Sequence, residues 1–218
     1  MPALPLRDEY RPTLPELLGP HWRRLSRARR LPVLFAGTLL LAILLGAVLT
    51  LLPPTYSHAG TVSFSFGYRG LYRAPTPPGA YVRVQHVQDG RLRDSFEVSP
   101  LLLAPYRGEP TPALALYATG YIRALAAREP GFALRGEGWT QVDSISPYAV
   151  YNVFYTVPRD GRELYGRNIL VLPQRPGARR GVTISMLGDP GGEKQLSSPL
   201  LLGTVGALEG PLVSFDLR

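Results

Sequence analysis

Residues 31–52 read LPVLFAGTLLLAILLGAVLTLL, twenty-two consecutive positions without a charge. As an α-helix the run would be about 33 Å long, which matches the hydrocarbon core of a bilayer. A long helix buried in a soluble core would carry a polar stripe at helical spacing, and this run carries none. Pro32 falls in the first turn, where its missing N–H has no intrahelical acceptor, and Pro53-Pro54 stops the helix at the other end. The segment therefore reads as a single transmembrane helix.

Its flanks set an orientation. Arg23, Arg24, Arg27, Arg29 and Arg30 precede the run, whereas Thr55, Tyr56, Ser57 and His58 follow it, so the N-terminus is expected inside. Residues 1–30 then form a basic cytoplasmic tail able to attract anionic lipid headgroups. Within the run, Thr38, Ala42, Gly46 and Thr50 recur every four positions, a small-residue face that would let a second copy approach as a homodimer. The competing reading is a signal peptide cleaved after Ala59, where Ser57-His58-Ala59 has the small-x-small pattern. Against it, the apolar run exceeds the roughly 7 to 15 residues of a signal core.

Beyond a stalk at 53–59, residues 60–218 have the length of one medium-sized domain. Val62, Phe64 and Phe66 alternate with small polar residues in a half-buried strand over Gly60 to Tyr68. Two Asp-Gly pairs, Asp89-Gly90 and Asp160-Gly161, each separate apolar alternating runs and predict two tight hairpins: Tyr81 to Val87 with Arg91 to Val98, and Tyr148 to Val157 with Arg162 to Leu172. In the strand before the second turn both faces are apolar, so both should be covered. Between the hairpins, Thr111-Pro112 opens a helix that carries Leu114, Tyr117, Ala118, Tyr121, Leu125 and Ala126 at helical spacing and ends at Pro130-Gly131. Further strands are expected at Phe132 to Asp143 and Gly181 to Leu187, a second helix at Leu200 to Leu208, and a last strand at Leu212 to Leu217. The class is α+β, an antiparallel sheet packed with two helices.

This order of elements, with Pro130-Gly131-Phe132 entering a strand, Gly136-Glu137-Gly138, and GRELYGRNILVLPQRPGARRGVTISML from Gly161 to Leu187, resembles the Mog1/PsbP-like sandwich domains over about 60–218. It is also similar to single-pass actinobacterial membrane proteins that carry such a domain outside the span. The resemblance implies a binding or assembly module without a shared catalytic site, so it transfers no site residue.

Composition removes several chemistries. With no cysteine there are no disulfides and no thiolate metal or nucleophile sites. His21, His58 and His86 are the only histidines, too few and too scattered for a metal site, and no cofactor is implied. Gly-x-Ser-x-Gly and phosphate-loop motifs do not occur. Half of the net charge of +8 belongs to the first thirty residues, which leaves no basic stripe for nucleic acid. Glu137 and Asp143 share a strand, while Glu109, Glu129 and Glu163 sit at turns or helix ends, so paired-acid catalysis by an envelope hydrolase is the weaker alternative.

Strand spacing instead places Arg135, Glu137, Trp139 and Gln141 on one face, with Tyr165 and Arg167 beside them if the strands pair. Trp and Arg bury contact area with little loss of entropy, so this face is the expected contact with a partner or ligand. The reading is a membrane-anchored, extracytoplasmic binding or assembly module of the bacterial cell envelope, without catalysis, whose partners are the lipid bilayer and an envelope protein or small ligand.

Overall fold

The computed structural model describes residues 35, 37–44, 53–139, 145, 147–192 and 195–218. The chain divides into two units, 1–52 and 53–218. In the first, residues 37–44 are helical and Thr38 Oγ1 donates to the Phe35 carbonyl at 2.9 Å. Among the described residues no helix is long and apolar enough to cross a membrane. Most of 31–52, the five flanking arginines, Gly46, Thr50 and Gln141 lie outside the described residues.

The second unit is mixed α+β, and both of its sheets are antiparallel. A seven-stranded sheet has the order β3-β4-β5-β9-β8-β7-β6, formed by β3 (Tyr72–Arg73), β4 (Val82–Gln88), β5 (Arg91–Leu102), β6 (Ala133–Trp139), β7 (Ala149–Arg159), β8 (Arg162–Leu172) and β9 (Arg180–Gly188). A three-stranded sheet pairs β1 (Thr55–His58) and β10 (Asp216–Leu217) on either side of β2 (Phe64–Gly67). Both expected hairpins form. Asp89 and Gly90 have φ of 52° and 72°, and Asp160 and Gly161 have 52° and 74°, the left-handed pair that matches the twist of the flanking strands.

Helix α1 (Pro110–Arg128) carries the chain from the end of β5 to β6 at the far edge, and β6, β7, β8 and β9 then fold back until β9 pairs with β5. Alternation along β7 sorts its side chains. Ala149, Tyr151, Val153, Tyr155 and Val157 join Leu114, Ala118 and Leu125 of α1 on one face of the sheet. On the opposite face Val150, Ile169, Ile184 and Met186 pack with Phe64, Phe66, Phe215 and the C-terminal segment, so three layers result. Phe66 lies 4.9 Å from Phe96 of β5, which ties the small sheet to the large one, and Phe64 stacks 5.5 Å from Phe215 at the entry to β10.

Five local expectations are corrected. The stretch taken as a stalk contains β1, whose Tyr56 packs on Phe64 and Phe66 and lies under the Arg73 guanidinium. The strand expected from Gly60 shortens to Phe64–Gly67. Helix α1 starts two residues early, capped by the extended backbone of Glu109, because Pro110 and Pro112 both fit a first turn whose N–H groups are unused. At 200–208 two 3₁₀ turns, Pro199–Leu201 and Gly206–Leu208, replace one helix, since Gly203 and Gly206 adopt φ of 84° and 81°. Helix α2 (Glu209–Val213) takes the first two residues of the expected last strand, of which β10 keeps the end.

Candidate functional site

A sheet of seven strands is about 29 Å wide at ~4.8 Å per gap, and a helix is only about 10–12 Å across. Helix α1 packs on β7 and β8, so the β4-β5-β9 half of that face is left without a helical layer. The uncovered half is polar by the same alternation that makes its reverse apolar. On β9, Thr183 and Ser185 alternate with buried Val182, Ile184 and Met186; on β5, Ser95, Glu97 and Ser99 alternate with buried Phe96 and Val98.

Register assembles these residues into rows. Arg83, Glu97, Ser185 and Asn168 stand opposite one another on four adjacent strands. The pairs Gln85 with Ser95 and Ser99 with Thr183 flank that row. Walled by Tyr117, Tyr121, Leu125 and Arg128 of α1, the floor becomes a groove of about 530 Å³, within the range of small-molecule sites.

The charges of the groove are paired. Arg83 donates from Nε and Nη2 to Glu97 Oε2 at 2.9 and 2.7 Å, and Ser99 Oγ donates to Glu97 Oε1 at 3.0 Å. At one end Arg159 Nη2 donates to Glu129 Oε2 at 2.7 Å. Between them Asn168 Nδ2 donates to the Tyr121 hydroxyl at 2.7 Å, and the Tyr155 hydroxyl donates to Asn168 Oδ1 at 3.4 Å. Burial pushes the Tyr121 hydroxyl up to about 12, against the lowering effects of hydrogen bonds with Ser185 and Asn168 and of the Arg128 charge. Burial likewise raises Tyr155. Both phenols are therefore neutral donors and acceptors at physiological pH.

The Tyr155 ring reaches the groove because residue 166, on the neighbouring strand, is glycine. A Cβ there would overlap Tyr155 Cε2 and Cζ and lie 2.7 Å from Cδ2. No other side chain would let the ring lie across β8.

A second cavity, of about 550 Å³, borders the hairpin end of the sheet and is lined in part by His86, Arg93, Asp94 and Asp189. Its fixed point is Asp189, 8% exposed, whose Oδ2 accepts from Arg93 Nη1 at 2.5 Å and from Arg162 Nη1, while Oδ1 accepts from the Gly191 N–H. This hub fastens β5, β8 and the loop after β9 together.

The residues expected to share a contact face do not share one. A register shift between Leu134 and Gly136 makes Arg135 a bulge, so the i, i+2 count fails there. Arg135 turns to Thr156 Oγ1 at 3.2 Å and Glu163 Oε2 at 3.4 Å. Glu137 and Trp139 stay on the α1 side, where Glu137 accepts from the Tyr151 hydroxyl at 3.1 Å and the Trp139 ring meets Tyr151 edge-on at 4.8 Å. Trp139 is 46% exposed on the edge strand and takes no part in lining the groove. Tyr165 and Arg167 belong to β8, separated from β6 by β7, and face the other layer. Arg167 is buried. It donates from Nε to Asn152 Oδ1 and from Nη1 to the Leu202 carbonyl, both at 2.9 Å, and its guanidinium lies 5.2 Å from the Phe154 ring. Burial pulls its pKa down to about 10. It is a core cation, not a surface contact.

No family model matches this chain. The Mog1/PsbP-like resemblance thus has no family match behind it, and no curated protein matches either. Similar solved structures include LpqN, involved in cell envelope biogenesis of Mycobacterium tuberculosis, at 12% identity over 76% of this chain and 91% of that one, with a TM-score of 0.47. Another is PA94 from Pseudomonas aeruginosa, a protein of unknown function, at 17% identity over 61% and 72% of the two chains, with a TM-score of 0.33.

The groove residues escape sequence reasoning for a physical reason. Alternating Ser and Thr on β5 and β9 is what a solvated sheet face looks like, and nothing in the spacing shows that a helix two strands away turns that face into the floor of a cavity.

Proposed function

We propose that this chain is a membrane-anchored binding module of the bacterial cell envelope, with 31–52 crossing the bilayer, the N-terminus inside, and 53–218 outside holding a polar ligand in the groove between α1 and the β4-β5-β9 floor. The observation that carries the binding reading is the groove: a cavity of about 530 Å³ whose floor presents hydroxyl and amide groups from Gln85, Ser95, Thr183 and Ser185. Binding is favoured over paired-acid catalysis because the groove's two carboxylates, Glu97 and Glu129, are each held by an arginine. The anchor is favoured over cleavage after Ala59 because such a cut would remove β1 and with it the packing of Tyr56 on Phe64 and Phe66.

Native mass spectrometry of the full chain ejected from detergent micelles tests the groove. A bound mass is expected on the wild type and is expected to disappear in Ser185→Phe, which fills the floor; an unliganded wild type, or a mass kept by the variant, refutes the reading. Neutral substitution of Arg23, Arg24, Arg27, Arg29 and Arg30 together should scramble protease protection of the folded unit, and an unchanged pattern would contradict the orientation.

A further inference from the structure

The groove floor holds hydrogen-bonding groups that the fold leaves unused. Ser95 and Thr183 are only 8% and 5% exposed, both line the cavity, and neither hydroxyl has a hydrogen-bond partner among the described residues. The Gln85 amide, two strands from Thr183, is part-exposed, lines the same cavity and likewise has no partner among the described residues. Neither hydroxyl is one of the buried polar atoms left without a partner in the described residues, which are Arg93 Nε, Asn152 Nδ2 and Arg162 Nε, so both open onto the cavity and offer their donors and acceptors to whatever enters.

What enters is constrained by charge. Arg83 is occupied by Glu97 and Arg159 by Glu129. The guanidinium of the lining without an ion pair among the described residues, Arg128, sits at the exposed last turn of α1, on the rim. The floor therefore offers neutral donors and acceptors and no free charge with which to repay the desolvation of an anion or cation. The wall is of a different kind. Tyr117 and Tyr121 lie 6.1 Å apart with ring planes at 24°, an aromatic ledge beside the hydroxyl-rich floor. A body with one apolar C–H face and a rim of neutral hydroxyls matches both surfaces at once.

On the reading that the groove is the binding site, we infer that its ligand is a short neutral saccharide, with a sugar ring against Tyr117 and Tyr121 and its hydroxyls on Gln85, Ser95 and Thr183. The test screens the full chain in detergent micelles by thermal shift and titration against three probe sets: neutral mono- to trisaccharides such as maltose, cellobiose and chitobiose; sugar phosphates and uronic acids; and amino acids with dipeptides. Hits are repeated on the S95A/T183V double variant, which loses only hydroxyls without a partner in the chain and so keeps its Tm near that of the wild type. A neutral saccharide should bind, with Kd weakened at least tenfold in the variant. Hits confined to the charged or peptide sets and weakened by the variant overturn the saccharide while the groove stands. A saccharide bound equally well by both chains lies elsewhere and overturns the inference. If no probe distinguishes the two chains, the groove reading falls as well.

Discussion

Gly166→Ala is a small change with a large expected effect, and the structure fixes its origin. Tyr155 is 4% exposed, its ring lies 5.2 Å from Phe132, and its hydroxyl bonds Asn168 on the groove floor. An added methyl at residue 166 would lie 2.7 Å from Tyr155 Cδ2 and overlap the next two ring atoms, where ordinary contact begins at 3.4 Å. The ring must therefore move by at least about 0.7 Å at Cδ2 and further at its tip, in a core packed at crystal-like density. Overpacking of this kind costs about 1–3 kcal/mol, and the lost Tyr155–Asn168 bond adds about 1 kcal/mol, so a destabilisation of about 2–4 kcal/mol follows. Urea unfolding of the full chain in micelles, followed by Trp139 fluorescence with Trp22→Phe in the background, would measure it. The mechanism is isolated by a double-mutant cycle. With Tyr155→Ala in place the methyl meets no ring and there is no Tyr155–Asn168 bond to lose, so the second substitution should cost about 2–4 kcal/mol less than it does alone. Additive effects would refute the argument that the glycine exists to admit the ring.

Other perturbations read different parts of the unit. Burial raises the Tyr121 hydroxyl from 10 to about 12, so its neutral form is favoured in the fold; the stability this reflects is complete below pH 10 and is lost as pH rises from 10 through 12, by an amount on the order of 3 kcal/mol. The urea midpoint difference between wild type and Tyr121→Phe should shrink across that window, a comparison in which the opposite drift from Arg167 cancels; a constant difference would contradict it. Asp189→Asn leaves two part-buried guanidinium groups around a neutral amide and should cost about 2–4 kcal/mol, and a change below 1 kcal/mol would mean the hub is solvated. Trp139→Ala, half-exposed on the edge strand, should cost no more than about 1.5 kcal/mol and leave groove binding unchanged, so a lost ligand would place the site on β6 instead.

The parts of the fold visible in the sequence are those fixed by local chemistry. Asp89-Gly90 and Asp160-Gly161 demanded positive φ, and both hairpins lie where those pairs put them. The two-sided apolar pattern of β7 announced a layer on each face, and both layers exist. What stayed hidden depended on one residue or on distant partners. The bulge at Arg135 shifts parity by one and sends that side chain away from Glu137 and Trp139, and no composition rule marks it. Arg167 reads as a surface residue by type, yet Asn152, the Leu202 carbonyl and Phe154, contributed by separate segments, make a buried place for it. Gly203 and Gly206 were visible, but whether a glycine sits inside a helix or breaks it is decided by what packs around it.

The groove follows from the route of one helix. A single helix cannot cover seven strands, so the face beneath it must be finished in some other way over β4, β5 and β9. Polar side chains are the ordinary finish for a sheet face open to water, and there they are solvated and cost nothing. Here α1 crosses from β5 to the far edge and stands along the boundary, with Tyr117 and Tyr121 turned toward the polar half. Ser95 and Thr183 thereby pass from a solvated face to less than a tenth exposed without acquiring a partner in the chain. Their hydroxyls still open onto the groove, where water can satisfy them, and a molecule that returns the same hydrogen bonds from within the cavity can take that water's place at little cost.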